Sequence, residues 1–228
     1  MNFPLHPFEG QLDAVSRLAL SLYRVGVFPM GSDRSQNEIS WHFPRRRGVL
    51  PLHSFRVSRR LLRTLRSDRF SATANADFKG VIEGCAERPE TWINGAIKGI
   101  YSNLHAESFA HSIEVWRNDS LVGGVYGIAI GRAFFGESMF FRRADASKVA
   151  LAYLIDQLRR TGFVLLDTQY SSPHLRSLGG IEIDRGDYLG LLKPAVGTSR
   201  SGKRFLDQRL ESSGFFVAQR ISQMSKRL

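Results

Sequence analysis

Residues 133–169 spell out a strand, a crossover helix and a second strand, and such a unit constrains the whole fold because its two strands must lie parallel. Residues 133–141 are short and aromatic-rich, and the strand period of two places Phe135, Glu137 and Met139 on one face, a carboxylate among apolar neighbours. Asp145 stands where it can cap a helix over 146–160, in which Val149, Leu151, Tyr153, Leu154, Ile155 and Leu158 form a broad buried stripe before Gly162 ends it. Residues 163–166, Phe-Val-Leu-Leu, then read as a buried strand. Crossovers of this kind are right-handed, and ligands collect at the carboxyl ends of their strands. Glu137 should therefore meet Asp167 and Gln169, which stand two apart and share a face. A plainer reading remains open, in which Asp167 caps the following turn and Glu137 pairs with an arginine.

Charge narrows the partner. The chain carries 32 Lys and Arg against 21 Asp and Glu in 228 residues, a formal charge of +11, which points to a polyanion and first to nucleic acid. Nine arginines crowd into 45–69 (Arg45, Arg46, Arg47, Arg56, Arg59, Arg60, Arg63, Arg66 and Arg69) beside a single acid, Asp68. Within that block Ser58 can cap a short helix whose Leu61, Leu62 and Leu65 face inward. Arg59, Arg63 and Arg66, at i, i+4 and i+7, then line one ridge suited to successive phosphates, with Arg60 beside them. The alternative is a solvated amphipathic face.

A hydrophobic content of 43% with 11% aromatics is enough for a substantial core. The lone Cys85 excludes an internal disulfide framework and suits a reducing compartment. Residues 1–10 lack the basic and apolar regions of a signal peptide, and no twenty-residue apolar run occurs, so a cytoplasmic protein with no membrane partner is expected. The phosphate-loop, H-E-x-x-H, G-x-S-x-G and paired C-x-x-C motifs are all missing. His105 and His111, six apart, do not share a helical face, and no metal site is expected.

The remaining segments predict an α+β fold. Residues 11–24 read as a helix stopped by Gly26, followed by extended pieces around 27–30 and 48–52 with a polar loop at 31–37; residues 71–77 look like a connector. Helical segments over 78–85 and 92–104 flank Arg88-Pro89-Glu90, and strands over 112–116 and 121–130 alternate across an Asn118-Asp119 turn, with Gly131 opening the next turn. The run Gly123 to Gly127 marks a bulge or a close backbone approach. Ser177-Leu178-Gly179-Gly180 with Ile181-Glu182-Ile183 looks like the closing helix and strand of acetyltransferase-like folds. No R-x-x-G-x-G/A loop precedes the 146–160 helix, which argues against acyl-coenzyme A as donor. The expected division is a small amino-terminal α+β domain over 1–70 carrying the basic ridge, a catalytic domain over 71–195, and a basic tail over 196–228 whose order the sequence leaves open.

The chain resembles the bacterial leucyl/phenylalanyl-tRNA-protein transferases. The resemblance runs through Tyr23-Arg24-Val25-Gly26-Val27-Phe28-Pro29, Trp41 with Pro44, Arg47-Gly48-Val49-Leu50, Val81-Ile82-Glu83-Gly84-Cys85, Thr91-Trp92-Ile93, His111-Ser112-Ile113-Glu114-Val115-Trp116, residues 136–140 and Asp167-Thr168-Gln169. It covers roughly 12–194 in the expected order. It implies an acetyltransferase-like (GNAT-like) carboxyl domain behind a smaller amino-terminal α+β domain. The implied activity moves Leu, Phe or, less well, Met from aminoacyl-tRNA to the amino-terminal Lys or Arg of proteins, marking them for degradation, with no cofactor and as a monomer. It also implies that Gln169, oriented by Asp167, assists removal of the amine proton, and that Glu137 holds the aminoacyl-adenosine end. Because an amide is a poor base, Gln169 suits a positioning role, with the proton passing through Asp167, water or the ribose hydroxyl. Phe134 and Met139 match positions that line an apolar side-chain pocket, for which methionine is well suited. Trp92 is a candidate to stack on the terminal adenine, worth about 1–3 kcal/mol; the alternative is a core tryptophan at helical spacing. The sequence departs from the family at Met30, His42 and Arg45, where an aromatic, a second tryptophan and an acidic loop are usual. Two other classes stay open, an aminoacyl-tRNA-dependent ligase acting on a non-protein amine and a non-catalytic RNA-binding relative.

Overall fold

The computed structural model describes residues 12–32, 37–197, 202–206 and 208–224. The expectations placed on residues 1–11 and 33–36 and on the end of the tail lie outside them. The chain runs α1 (Ala14–Tyr23), β1 (Phe28–Gly31), β2 (Ile39–His42), β3 (Arg46–Val49), α2 (Arg59–Arg66), β4 (Ser71–Ala74), α3 (Phe78–Ala86), α4 (Gly95–Ala106), β5 (Ala110–Arg117), β6 (Ser120–Ile130), β7 (Ala133–Phe141), α5 (Ala146–Arg160), β8 (Leu165–Gln169), α6 (Pro173–Ser177), β9 (Ile181–Asp184), α7 (Arg185–Val196), a 3-10 turn (Gly202–Leu206) and α8 (Gly214–Met224). No helix among the described residues is long and apolar enough to cross a membrane.

Seven strands form one sheet in the order β4-β5-β6-β7-β8-β3-β9, and β1 and β2 form a separate ribbon. β7 and β8 pair in parallel, as a crossover through α5 requires; the other pairings in the sheet are antiparallel. The sheet separates two apolar cores. α1, α3, α4 and α7 cover one face, and α2, α5, α8 and the 3-10 turn cover the other. α5 is buried almost all round, 12 of its 15 residues, because α2 and α8 lie over the side that the sheet does not.

Several expectations change. The boundary near residue 70 is not a break in the core: β3 sits inside the main sheet between β8 and β9, and Tyr23 and Phe28 share a core with Phe78, Tyr126 and Phe135. The connector at 71–77 holds the edge strand β4, tied to β5 by Thr73 and Ala76, which both donate to the buried Glu114 carboxylate. Asp145 does not cap α5 with its side chain. Its backbone is left-handed (φ 71°), which turns the carboxylate away to accept from Arg60 at 2.8 Å. The second strand of the crossover starts at Leu165, two residues later than the apolar run suggests.

The described part of the tail belongs to the fold. Phe205 is fully buried, stacked between His111 (4.6 Å between ring centroids) and Phe134 (5.6 Å). Arg220 of α8 forks onto the buried Asp156 of α5 at 2.6 and 2.7 Å. Phe205→Ala should therefore cost about 3–5 kcal/mol of stability, read by urea unfolding. A loss within experimental error would show that the turn does not close the core.

Candidate active site

Strand parity fails in the middle of β7, at the site itself. Gly127 pairs with Gly136 and Tyr126 with Ser138, which leaves Glu137 as the extra residue of a β-bulge. Gly127 is obligatory opposite it, since an added Cβ would lie 2.2 Å from the Phe135 carbonyl oxygen. Glu137 stays on the α1 and α4 side with Phe135, and the bulge sends Met139 to the opposite core. The simple alternation that grouped Phe135, Glu137 and Met139 is thus corrected. Phe134 also lies on the α5 side, fully buried against Phe163 and Phe205.

Glu137 is enclosed by hydroxyl and amide donors rather than by an arginine. Its Oε1 accepts from Tyr23 at 2.8 Å and from Gln169 Nε2 at 3.0 Å, and its Oε2 accepts from Tyr101 at 2.7 Å. Burial pushes its carboxyl up to about 7, against the opposing pull of the Tyr101 and Tyr23 hydrogen bonds.

Asp167 carries the arginine instead. Its fully buried carboxylate receives Arg47 Nε at 2.9 Å and Arg47 Nη2 at 2.7 Å, the Tyr188 hydroxyl at 2.6 Å and the Gln169 backbone N–H at 2.8 Å. Arg47 is equally buried. Its Nη1 donates to the Gly26 carbonyl at 2.9 Å, and its guanidinium lies 4.6 Å from the centre of the Phe28 ring and 4.5 Å from that of Tyr188. Burial pushes the Tyr188 hydroxyl well above its ordinary range, and the Asp167 charge adds to the effect. With four donors on two oxygens, Asp167 is sealed from solvent. The hydrogen bond to its N–H holds Gln169 in a left-handed conformation (φ 53°), from which the amide reaches Glu137. Gly48 lets β3 pass close by, since a Cβ there would meet the Tyr170 carbonyl carbon at 2.8 Å.

A cavity of about 170 Å³ opens at this point, lined by Phe28, Pro29, Met30, Trp92, Glu137, Thr168, Gln169 and Tyr170. Trp92 is half-buried in the loop before α4 rather than at helical spacing in a core, and Met30 faces the same space. β7 and β8 pair only from Ala133–Leu165 to Phe135–Asp167 and separate beyond, so the cavity stands where the sheet splays.

The sequence profile described as Leucyl/phenylalanyl-tRNA protein transferase matches residues 49–193. The chain belongs to this family. Curated members named leucyl/phenylalanyl-tRNA–protein transferase include one from Ruegeria sp. (strain TM1040), 56% identical over 78% of this chain and 85% of its own length. Another, from Cereibacter sphaeroides (strain ATCC 17025), is 52% identical over 92% and 96%. A third, from Rhizorhabdus wittichii, is 53% identical over 79% and 74%. The solved structure of L-PGS from Bacillus licheniformis aligns at 10% identity over 79% of this chain and 70% of that one, with a TM-score of 0.43, too loose a likeness to carry an argument. The family is one of aminoacyltransferases that take an amino acid from aminoacyl-tRNA and give it to protein.

Within this transferase Glu137, Gln169 and Trp92 come together at the cavity. Asp167 stands directly behind Gln169, and Phe134 and Met139 lie across the sheet. Arg59, Arg63 and Arg66 are exposed on α2, while the exposed Arg60 is engaged by Asp145. Two other arginines of the basic block already have acidic partners: Arg47 is buried with Asp167, and Arg46 pairs at the surface with Asp184 at 2.9 Å. Tyr23, Tyr101, Arg47 and Tyr188 were not singled out as site residues from the sequence. Tyr23 and Arg47 lay inside quoted motifs, whereas Tyr101 and Tyr188 gave no signal beyond helical apolar positions. Arg47→Ala should cost about 3–5 kcal/mol, because it strands the buried Asp167 charge. Urea unfolding would measure this, and a loss below about 1 kcal/mol would contradict the burial of the pair.

Proposed function

We propose that the protein transfers Leu, Phe and, less well, Met from aminoacyl-tRNA to the amino-terminal Lys or Arg of proteins, marking them for degradation in the cytoplasm. The observation that carries this reading is the cavity itself, whose polar Glu137 and Gln169 face an otherwise largely apolar and aromatic lining that includes Trp92 and Met30. An aminoacyl ester is already activated, so transfer needs positioning rather than a covalent nucleophile. We read the fold as acetyltransferase-like, on the divergence of β7 from β8 beside the site.

Trp92 stacks on the terminal adenine, with Met30 filling the opposite side less strongly than an aromatic would. Glu137 holds the aminoacyl-adenosine end. The Gln169 amide gives its N–H to Glu137, so its carbonyl oxygen is free to accept from the incoming amine. The amine nitrogen bonds to the ester carbonyl carbon, the bond from that carbon to the ribose oxygen breaks, and the amine proton passes to the departing ribose hydroxyl. Asp167 takes no proton, because all its acceptor positions are filled. It serves as a positioning residue for Gln169, and of the three routes open to the proton (Asp167, water or the ribose hydroxyl) we favour the ribose hydroxyl. The apolar amino-acid side chain enters the splay toward Met139 and Phe134 on the far face. Arg59, Arg63 and Arg66 line the tRNA backbone, with Arg60 joining when it leaves Asp145.

The test is transfer of radiolabelled Leu or Phe from charged tRNA to peptides beginning with Arg or Lys. Gln169→Ala should lower transfer by about a hundredfold with tRNA affinity unchanged. The double variant Arg63→Ala with Arg66→Ala should weaken tRNA binding and flatten its salt dependence by roughly one unit of slope per arginine. Transfer only to small non-protein amines would replace the proposed acceptor, and an unchanged salt slope would remove α2 from the tRNA surface.

A further inference from the structure

Three polar groups in the site make three short contacts, and their protons can be counted. Tyr23 and Tyr101 each touch Glu137, and their hydroxyls also lie 2.8 Å from each other. Two hydroxyls supply two protons. If both are spent on an ionised Glu137, the contact between the two tyrosine oxygens has no proton and sets lone pair against lone pair in a buried place. A third proton, on Glu137 itself, completes the set. Oε2–H then donates to the Tyr101 hydroxyl, the reverse of the bond that an ionised Oε2 accepts, Tyr101 donates to Tyr23, and Tyr23 donates to Oε1, which stays a carbonyl-type acceptor able to take the Gln169 amide as well. We propose that Glu137 carries a proton in the free enzyme, and that Tyr23 and Tyr101 are positioning residues that hold it there by closing a ring of three hydrogen bonds.

The surroundings favour the neutral state. The Tyr126 hydroxyl of β6 is buried without a hydrogen-bond partner among the described residues, and Cys85 of α3 beside it is pushed up to about 12 by burial. Asp167 of β8 disfavours a second negative charge, and Arg47 of β3 opposes it only in part, being already committed to Asp167. Tyr23 and Tyr101 are themselves pushed well above their ordinary range, first by burial and then by Glu137, so neither ionises in its place. The consequence for transfer rests on the function proposed above. An anion beside the acceptor amine would hold it as unreactive ammonium, whereas a neutral Glu137 leaves it free to lose its proton.

The sign of the pH effect follows. A carboxyl at about 7 in the folded protein and 4.5 unfolded binds more protons when folded between those values, so stability falls as pH rises from 4.5 to about 7 and levels off above. Glu137→Gln reproduces the neutral ring, with the amide N–H in place of the acid proton. It should match the wild-type urea midpoint near pH 4, exceed it at pH 8 and lack the wild-type slope between. Lower stability of Glu137→Gln at both pH values would overturn the ring. Infrared spectra of the wild type at pH 6 should contain a carboxylic-acid C=O band that disappears as pH rises through about 7. Its absence at pH 6 would overturn the ring even if the variant does not fold. Tyr101→Phe should shift the pH window in which the slope occurs, whereas a tyrosine that only packs would lower stability equally at every pH. In transfer assays kcat/KM should bend downward above pH 7 in the wild type and not in Glu137→Gln, whatever the variant's absolute rate. The same bend in both would overturn the effect on the amine but leave the ring to the infrared result.

Discussion

Arg47 and Asp167 form the contact on which the rest of the site depends. A buried carboxylate is costly unless every acceptor position is filled, and here Arg47 of β3, Tyr188 of α7 and the Gln169 backbone of its own strand fill them. The pair therefore explains why a four-residue strand from the amino-terminal third lies inside the main sheet. It also explains why Gln169 adopts a left-handed backbone, since that conformation delivers its N–H to Asp167 and its amide to Glu137. The aromatic rings of Phe28 and Tyr188 on the guanidinium, with the Gly26 carbonyl at its end, leave Arg47 no exit.

A second constraint acts from the other side of the cavity. Glu137 faces α1 and α4 at the bulge in β7, so the two carboxyl groups of the site meet different environments. Asp167 is saturated by a cation and closed off from solvent. Glu137 is surrounded by neutral hydroxyls and an amide, its charge disfavoured by burial. Gln169 joins the two, bonded through its backbone to one and through its side chain to the other. A site of this kind needs no nucleophile of its own, in keeping with a donor that arrives already activated on tRNA.

What could be read from the sequence was local. The strand, helix and strand over 133–169 declare themselves by contiguous apolar runs and a glycine stop, and β7 and α5 lie at the expected residues. The meeting of Glu137 with Gln169 followed from the parallel pairing alone. The orientation of Met139 did not, because the bulge is set by Gly127 on the neighbouring strand. Arg47 looked like part of a phosphate-binding block because its neighbours are arginines, and only the insertion of β3 beside β8 reveals it as the partner of a buried acid. Tyr188 was unreadable for a different reason: α7 contains Gly186, Gly190 and Pro194 and has a weak apolar stripe, so the helix that presents it left little trace. The carboxyl-terminal segment hid its core residues, Phe205, Val217 and Ile221, among basic and small ones.

The central claim is that Asp167 holds the site from behind while Glu137 and Gln169 meet the substrate. A crystal structure with a non-hydrolysable aminoacyl-adenosine tests it most directly. The account predicts the adenine against Trp92, the aminoacyl group within hydrogen-bond reach of Glu137 and Gln169, and Asp167 still enclosed by Arg47 and Tyr188. A ligand bonded directly to Asp167, with Arg47 displaced, would contradict it.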